Sequence, residues 1–366
     1  DFLQIRRRPD PTKYLNRHLI LRPEHYVALS LPFEAENEPA VRTALLSLSP
    51  EDLESVLNQK EWEDLQYGYR ERITDTHLPH IAQLPEILPR LFCDAAIRAQ
   101  AAGFDGVELH YAHAYTMASF LSATNNRTDG YGNTLEGRLR LPLEVYGAVR
   151  EACSKDFVVG CRILSDEIID QGTRIEEACS IARALANAGM DFLSVSRGGK
   201  FDDAKQPRVG GAVYPYTGRS GYECMPSYIS DAQGPFGRNV EPVSLIREFL
   251  RQNGLNTPVV LAGGQYGFYQ AESLLKENKA DIIGFARQAL ADPDWFLKVK
   301  LGLGNQVRLC KYTNYCEGLD QKHKQVTCEL WDRENLDQPG ISKSHDGKRR
   351  LLAPVWSPPV IEPVTK

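Results

Sequence analysis

The 366-residue chain lacks the features that mark several large classes of protein. No apolar run reaches the roughly 18 residues that cross a bilayer, so we expect no membrane span. The first residues, DFLQIRRRPDP, have no apolar core of the kind that a secretory signal needs. The net charge of -5 shows no large excess of either sign. We therefore expect neither nucleic acid nor a membrane surface as a partner.

A disulfide framework and a dinucleotide-binding fingerprint are also missing. Five of the eight cysteines are scattered, most of them in apolar segments, which is typical of buried thiols in a reducing, cytoplasmic protein. These five are Cys93, Cys153, Cys161, Cys179 and Cys224. No G-x-G-x-x-G follows an apolar run, which weakens the doubly wound nucleotide-binding alternative.

A repeating strand–helix pattern begins near residue 85. Five apolar runs of the kind found in strands covered on both faces alternate with amphipathic segments. The runs are GVELHY, DFVVGCRILSD, MDFLSVSRGG, TPVVLAGG and ADIIGFAR. This pattern predicts an α/β fold with a parallel sheet, either doubly wound or a (βα)8 TIM barrel.

Polar or Gly-rich residues follow each of the five runs, and this favours the barrel. They are His110, Arg162, Arg197, Gly263–Gly264 and Arg287. A barrel collects such residues at one face, where its active site lies. Residues 1–84 and 306–366 do not follow the pattern.

We divide the chain into a divergent N-terminal segment (1–84), the barrel units (85–305) and a cysteine-containing extension (306–366). In the first segment, FLQIRR, RHLILR and HYVALSL are typical of strands, and SPEDLESVLNQKEWEDLQYGYRERI predicts one long charged helix. The tail from about residue 333 is expected to be extended and loosely held.

The sequence GVELHYAHAY places His110, His113 and Tyr115 directly after the first run. Histidines often cap strand ends through hydrogen bonds, so a structural role is one interpretation. Glu108, His110 and His113 are also metal-ligand types, which leaves open a metal-dependent barrel hydrolase. The sequence by itself does not decide between these interpretations.

The segment AGFDGVELHYAHAY…FLS…NNRTDGYGNTLEGR resembles the signature of the Old Yellow Enzyme family, the FMN-dependent ene-reductases and NADH:flavin oxidoreductases. VVGCRILSDE, PVVLAGG and ADIIGFARQALADPDW match the family's later strands in order. The resemblance is nearest to the branch that holds the 2,4-dienoyl-CoA reductases. It implies a (βα)8 barrel, with strands 4–8 clear here and FMN at their carboxyl ends.

The resemblance also implies a role for each residue of the site. His110 and His113 bind the substrate carbonyl, Tyr115 is the proton donor, and Arg162 lies beside the flavin pyrimidine. The residues implied at the flavin phosphate are Gly263, Gly264, Ala286 and Arg287. The implied reaction passes hydride from NAD(P)H through FMN to an α,β-unsaturated alkene. Imidazole N–H groups can stabilise the enolate charge and a phenol can protonate carbon, so the residue types suit this chemistry.

The C-terminal cysteines depart from the family pattern. In the dienoyl-CoA reductase branch, a C-x2-C-x3-C-x11-C array binds a 4Fe-4S cluster. Cys316 and Cys328 keep the last spacing, but Cys310 is shifted, and Tyr312 or Thr313 stands at the second position. Three thiolates at altered spacing are a poor cluster site, so we expect no 4Fe-4S cluster. A zinc site that includes a histidine such as His323 is possible but no better supported, and we assign no metal ligands.

The first segment departs as well, because the family's flavin-side residues of strands 1 and 3 are not found there. We expect those strands to be absent, rebuilt or supplied by another chain. A second hypothesis is therefore a non-catalytic, partner-dependent subunit, and either a homo-oligomer or a partner chain is compatible with it. The loop at residues 200–240, with Tyr214, Tyr216 and Tyr222, is equally compatible with a lid over the flavin and with a packed surface loop.

Overall fold

The structure is a computed structural model that describes residues 9–69, 71–113, 115–169, 171–198, 237–265, 267–320 and 322–359. The chain divides into two compact units, Asp1–Gln83 and Leu84–Lys366. In the described ranges, no helix combines the length and hydropathy that a bilayer span requires. The predicted lid at residues 200–240 lies almost entirely outside these ranges, and so do its three tyrosines.

The described part of the first unit is helical, which corrects the strands predicted there. Its α-helices are Pro11–Lys13, Pro23–Ala28, Glu38–Ser47, Pro50–Val56, Gln59–Tyr67 and Pro79–Ala82, with a π-helix at Tyr14–His18 and a 3-10 helix at Ala35–Asn37. RHLILR contains the end of the π-helix and no strand, and HYVALSL begins inside Pro23–Ala28. Leu19 and Tyr26, from the predicted strands, instead belong to a core that also includes Leu15, Val41 and Leu45. FLQIRR lies outside the described residues.

The long charged helix predicted in this unit is two helices, because Asn58 begins a new one. The Asn58 side chain accepts the N–H of Glu61 at 2.9 Å, and the Glu61 carboxylate accepts the N–H of Asn58 at 2.9 Å. This reciprocal capping box is a strong helix start. Glu61 also accepts two hydrogen bonds from Arg22 and lies 3.1 Å from the buried His25 ring. The start of the second helix is therefore tied to the first half of the unit.

The second unit contains a parallel sheet, which confirms the α/β class and all five predicted strands. The strands are β1 (Gly106–His110), β2 (Val158–Leu164), β3 (Leu193–Ser196), β4 (Val259–Ala262) and β5 (Ile282–Gly284). They are paired in the order β1-β2-β3-β4-β5. Consecutive barrel strands have this order, but the described residues form five strands with β1 and β5 at the edges, and not a closed eight-stranded barrel.

Helices connect these strands and extend beyond them. They are Leu84–Ala101, Thr116–Leu121, Leu135–Ala152, Ile175–Asn187, Val240–Gln252, Phe268–Lys276, Arg287–Ala291, Trp295–Lys300 and Tyr315–Asp320, with a 3-10 helix at Gly304–Gln306. The tail is more firmly held than predicted. Lys343 forms an antiparallel bridge with Arg350, which is buried and donates its backbone N–H to the carbonyl of Asp332 at 2.7 Å.

The register of the sheet gives it two chemically different faces. The apolar face consists of Leu109, Val159, Cys161, Ile163, Leu193, Val195, Val259 and Leu261, each at most 4% exposed, and of the half-buried Val107 and Ile283 on the edge strands. The cavity face consists of Glu108, His110, Gly160, Arg162, Ser194, Ser196, Ala262 and Gly284, together with Gly106, Val158, Leu164, Val260 and Ile282. Because side chains alternate along a strand, all charged side chains of the strands fall on this second face, together with the serines, His110 and the glycines.

Candidate active site

A cavity of about 560 Å³ lies at the carboxyl ends of the five strands. Each strand contributes one residue of the cavity face to its lining: His110, Arg162, Ser196, Ala262 and Gly284. Parallel strands bring their carboxyl ends to one edge of a sheet, so residues far apart in sequence meet there. The volume lies within the range of about 300–1,000 Å³ that is usual for small-molecule and cofactor sites.

All eight residues predicted from the sequence line this cavity. They are His110, His113, Tyr115, Arg162, Gly263, Gly264, Ala286 and Arg287. The lining also contains residues for which the sequence analysis proposed no role: Ser196, Arg197, Gly198, Arg238, Asn239, Ala262, Gln265, Gly284, Phe285, Gln288 and Tyr312. Arg197 was expected at this face of the barrel without a stated role, and Ser196 could have been found from its place at the end of the same apolar run. The structure thus brings the predicted residues together, and their chemical roles remain predictions.

His110 and His113 contact each other directly. His110 ends β1, and His113 follows with a left-handed backbone at a φ of 60°. Non-glycine residues adopt this conformation rarely, and histidine is among the types that do so more often than most. His113 Nδ1 lies 3.3 Å from His110 Nε2, and His113 Nε2 lies 2.8 Å from the Ser196 hydroxyl. Both ring nitrogens of His113 are therefore engaged.

Both histidines are neutral near pH 7. Burial, with the charge of His110 and then that of Arg162, lowers the pKa of His113 to about 4. Burial and the charge of Arg162 also lower the pKa of His110, against the opposing effect of Glu108. A neutral imidazole carries one N–H donor and one acceptor nitrogen, so each ring can polarise a carbonyl only through the nitrogen that holds its proton.

Tyr115 lies beside this pair, at the N-cap of the helix Thr116–Leu121. Its ring centroid is 5.3 Å from that of His110, and the two rings are tilted by 54°. The helix that follows is buried on most of its surface, including Met117 and Phe120. The position of Tyr115 is consequently set by a packed helix and not by a loose loop.

Arg162 lies on β2 opposite His110 and pairs with the carboxylate of Glu108 at 2.7 Å. The pair leaves Glu108 engaged with a guanidinium and not with the histidines. Among the described residues, no three His, Cys, Asp or Glu side chains are grouped so as to hold a metal ion. The arrangement of side chains therefore does not support the metal-dependent hydrolase.

The opposite side of the cavity is built from the ends of β4 and β5. Gly263 and Gly264 have φ values of 90° and 70°, where a side chain would be strained. A Cβ on Gly263 would lie 2.8 Å from the amide nitrogen of Asn239, which itself donates to the carbonyl of Ala262 at 2.8 Å. This close packing holds a turn of exposed backbone at the cavity edge.

Arg287 is fixed in place next to that turn. It donates to the Asn314 side-chain oxygen at 2.5 Å, and its guanidinium lies 5.0 Å from the centroid of the Tyr312 ring. The Tyr312 hydroxyl in turn donates to the carbonyl of Gln265 at 2.6 Å. Ala286 precedes Arg287 as the N-cap of the next helix. The cation is thus positioned by residues of the C-terminal extension.

The lining as a whole attracts anions. Four of its nineteen described residues are arginines and none is a carboxylate: the cations are Arg162, Arg197, Arg238 and Arg287. Two buried polar atoms of the lining, Gln265 Oε1 and Arg197 Nε, have no hydrogen-bond partner among the described residues. Such atoms are costly unless a ligand or water satisfies them. A phosphorylated cofactor with a polar ring edge would match both observations.

Three cysteines surround a second, small cavity of about 20 Å³. Cys310, Cys316 and Cys328 line it together with Tyr312 and Thr313, the residues at the altered position. Burial raises the pKa of Cys316, and burial also raises that of Cys328 to about 11. The Cys316 and Cys328 thiols are therefore protonated near pH 7, whereas metal ligation requires thiolates. The expectation that the chain holds no 4Fe-4S cluster stays a prediction.

Comparison with known proteins assigns the family. The model of the NADH:flavin oxidoreductase / NADH oxidase family matches residues 86–306, which is more than half of the chain. The chain belongs to this family. The resemblance to Old Yellow Enzyme proteins is thereby confirmed. The matched range contains every predicted residue of the cavity.

Several known proteins are similar to this chain over part of their length. The NADH oxidase of Thermoanaerobacter brockii is 34% identical over 231 residues, which are 63% of this chain and 31% of the relative. The NADPH dehydrogenase of Bacillus pumilus (strain SAFR-032) is 32% identical over 203 residues, 55% of this chain and 50% of the relative. The structure of histamine dehydrogenase from Rhizobium sp. 4-9 matches with a TM-score of 0.53 and 27% identity, over 68% of this chain and 32% of that one. This chain therefore spans only a third to a half of the length of these proteins.

Proposed function

We propose that this chain is an FMN-dependent oxidoreductase that uses NAD(P)H to reduce an activated, α,β-unsaturated alkene. The observation that supports this proposal is one cavity in which His110, His113 and Tyr115 lie across from Gly263, Gly264 and Arg287. The proposed proton donor and carbonyl-binding groups therefore share one cavity with the proposed phosphate-binding turn. Family membership supports the flavin reaction as a class, and the alkene substrate is our own inference.

The residues present fit FMN. The backbone of Gly263, Gly264 and Ala286 and the guanidinium of Arg287 would hold the phosphate, because a glycine turn and a fixed cation suit an oxyanion. Arg162 and the unsatisfied oxygen of Gln265 would hold the polar edge of the ring. When bound, FMN would supply the hydride chemistry, accepting hydride from NAD(P)H and passing it to the alkene.

The side chains on the other side of the cavity would act on the substrate. A neutral imidazole N–H from the His110–His113 pair donates to the substrate carbonyl and stabilises the charge that develops there. The Tyr115 phenol donates its proton to the substrate carbon that becomes carbanion-like, at the position next to that carbonyl. The packed helix that begins after Tyr115 holds the backbone of this residue beside the histidine pair.

A specific observation also favours the second hypothesis, a partner-dependent subunit. Val158 and Ile282, at the amino ends of β2 and β5, belong to the cavity face and are 40% and 47% exposed. In a closed barrel these positions would be interior. Another chain that covers this face would complete the site.

A cytoplasmic location, a small-molecule substrate and a homo-oligomer or partner chain stay predictions.

Reconstitution distinguishes the two hypotheses. The purified full chain is mixed with FMN, and the bound flavin is measured by its visible absorption and its fluorescence after gel filtration. We expect stoichiometric FMN in the monomer or homo-oligomer peak. If no flavin is retained at any protein concentration, the chain is not a flavoenzyme by itself and the partner-dependent subunit is preferred.

The substitution Tyr115→Phe tests the alkene reaction. We expect the oxidation of reduced flavin by 2-cyclohexenone to slow by about 10²–10⁴-fold, because the proton donor is lost. Flavin reduction by NADH or NADPH should stay near the wild-type rate, since that half-reaction needs no phenol. Stopped-flow measurement of each half-reaction checks this, and equal slowing of both would exclude Tyr115 as the proton donor.

A further inference from the structure

We propose that Ser196 is a positioning residue that sets, through His113, whether His110 offers an N–H donor or an acceptor nitrogen to the cavity. This inference rests on the proposed function, in which His110 meets a substrate oxygen. Ser196 ends β3, and 83 residues separate it from His113 in the sequence. It is not one of the residues that the family resemblance implied.

The three side chains form one hydrogen-bonded chain. The Ser196 hydroxyl lies 2.8 Å from His113 Nε2, and His113 Nδ1 lies 3.3 Å from His110 Nε2. Ser196 Oγ has no other hydrogen-bond partner in the parts of the chain that the structure describes, and His110 Nδ1 has none there either. This series of hydrogen bonds therefore begins at the Ser196 hydroxyl and ends at His110 Nδ1, which faces no partner among the described residues.

Because each neutral ring carries a single N–H proton, the hydrogen bonds among these three side chains can run in two directions. If Ser196 donates to His113 Nε2, then His113 must hold its proton at Nδ1 and donate to His110 Nε2. His110 then holds its own proton at Nδ1 and offers a donor to the cavity. In the reverse arrangement, His110 donates to His113, His113 donates to Ser196, and His110 Nδ1 is an acceptor.

The first arrangement uses the hydrogen-bonding groups better. In it the Ser196 O–H has a protein acceptor, whereas in the second the hydroxyl hydrogen has none among the described residues. The groups near the pair are Glu108, Arg162, Tyr115 and Arg197, and burial with the nearby Arg162 keeps both rings neutral at pH 7. A substrate oxygen that accumulates negative charge would favour the same arrangement.

The strand supplies a matched control for Ser196. Ser194 lies two residues earlier on β3, on the same face, and its buried hydroxyl has no hydrogen-bond partner among the described residues. Ser196→Ala and Ser194→Ala therefore remove the same group from the same strand and face. Ser196→Thr keeps the hydroxyl and should restore the wild-type behaviour.

The direct measurement is the tautomer of each ring. We would label the full chain with ¹⁵N-histidine, record two-bond ¹H–¹⁵N correlation spectra near pH 7, and assign His110 and His113 from His110→Asn and His113→Asn. In the wild type and in Ser194→Ala, we expect both rings protonated at Nδ1. In Ser196→Ala we expect both rings to shift toward the Nε2-protonated form. An unchanged spectrum in Ser196→Ala, or a wild-type spectrum with Nε2-protonated rings, would overturn the proposal.

Kinetics add a second measurement that separates this inference from the proposed function. Oxidation of reduced flavin by 2-cyclohexenone should slow roughly tenfold in Ser196→Ala, the effect of about one hydrogen bond, and not in Ser194→Ala or Ser196→Thr. Equal rates in the two alanine variants of an active enzyme would refute the role of Ser196 and leave the reductase intact. If the protein reduces no alkene, the proposed function fails, and the spectra still test the hydrogen-bonded chain.

Discussion

The two faces of the five-stranded sheet are made from alternate residues of the same strands, yet they have opposite properties. Eight of the ten positions on the apolar face are at most 4% exposed, and the other two, Val107 and Ile283 on the edge strands, are half-buried. The cavity face carries the ion pair of Glu108 and Arg162, the serines of β3 and the histidine that ends β1. One residue along a strand separates a core position from a position in the candidate site.

This difference shows how stability and chemistry are divided in the molecule. Burial of apolar side chains stabilises the fold by about 1.5–3 kcal/mol for each large residue. The cavity face instead holds polar groups that lack partners or are paired with one another, such as Ser194 Oγ and the His110–His113 pair. Substitutions on the apolar face should therefore change folding, and those of residues that line the cavity should change ligand binding or catalysis.

The largest expected effect compares neighbouring residues of β3. Leu193 is fully buried on the apolar face, so Leu193→Ala should lower the free energy of unfolding by about 2–5 kcal/mol. Ser194→Ala, one residue along, should leave stability unchanged or raise it slightly, because it removes a buried hydroxyl without a partner in the described residues. Urea denaturation followed by circular dichroism measures both values.

An opposite ranking of the two variants would break the division between the faces. If Ser194→Ala were as destabilising as Leu193→Ala, the hydroxyl of Ser194 would have to make an interaction that the described residues do not show. The slope of unfolding against urea serves as the control, since it should be the same in both variants if the folded and unfolded states keep their compactness.

The apolar face was the part that could be predicted from the sequence. Each of the five runs is short, rich in Val, Leu and Ile and followed by polar residues, and each is a strand in the structure. These patterns are local, so a single sequence suffices to detect them. The carboxyl-end residues could be grouped into one site because parallel strands end at a common edge.

Contacts between distant segments could not be predicted in the same way. Ser196 meets His113 across 83 residues, and Tyr312 reaches Gln265 across 47. In the first unit, the apolar residues near Leu15 and Tyr26 have a spacing that suits strands and short helices alike, and tertiary packing selected helices there. The cap at Asn58 could have been recognised, since Asn followed three residues later by Glu is a known helix start.

The next largest effect is the dependence of stability on pH that His113, a residue of the cavity lining, should cause. The folded pKa of His113 is about 4, below the ordinary value of 6.5, so between these values the unfolded chain binds a proton that the folded chain does not. The free energy of unfolding should therefore fall as the pH is lowered from about 6.5 toward 4, by at most about 3 kcal/mol. His113→Asn should show a shallower fall, because Asn does not titrate and tolerates the left-handed backbone.

Unfolding in urea at several pH values between 4 and 7 measures this dependence (about the range over which a histidine titrates). His345→Asn is the control, since His345 is exposed and remote from the cavity lining. Its pH dependence should follow that of the wild type. A His113→Asn curve that is parallel to the wild-type curve would show that the acid sensitivity arises elsewhere.

The smallest expected effect separates backbone strain from cofactor binding at the phosphate side of the cavity. Gly263→Ala and Gly302→Ala both place a side chain at positive φ, 90° and 75°, so each should cost about 1–2 kcal/mol of stability. Only at Gly263 does the new methyl group meet a neighbour, the Asn239 amide at 2.8 Å, and only Gly263 lines the cavity. Equilibrium titration with FMN should therefore show weaker binding in Gly263→Ala and wild-type binding in Gly302→Ala. Equal affinities in the two variants would mean that the turn at Gly263 does not hold the phosphate, and the fixed cation of Arg287 would then have to do so without it.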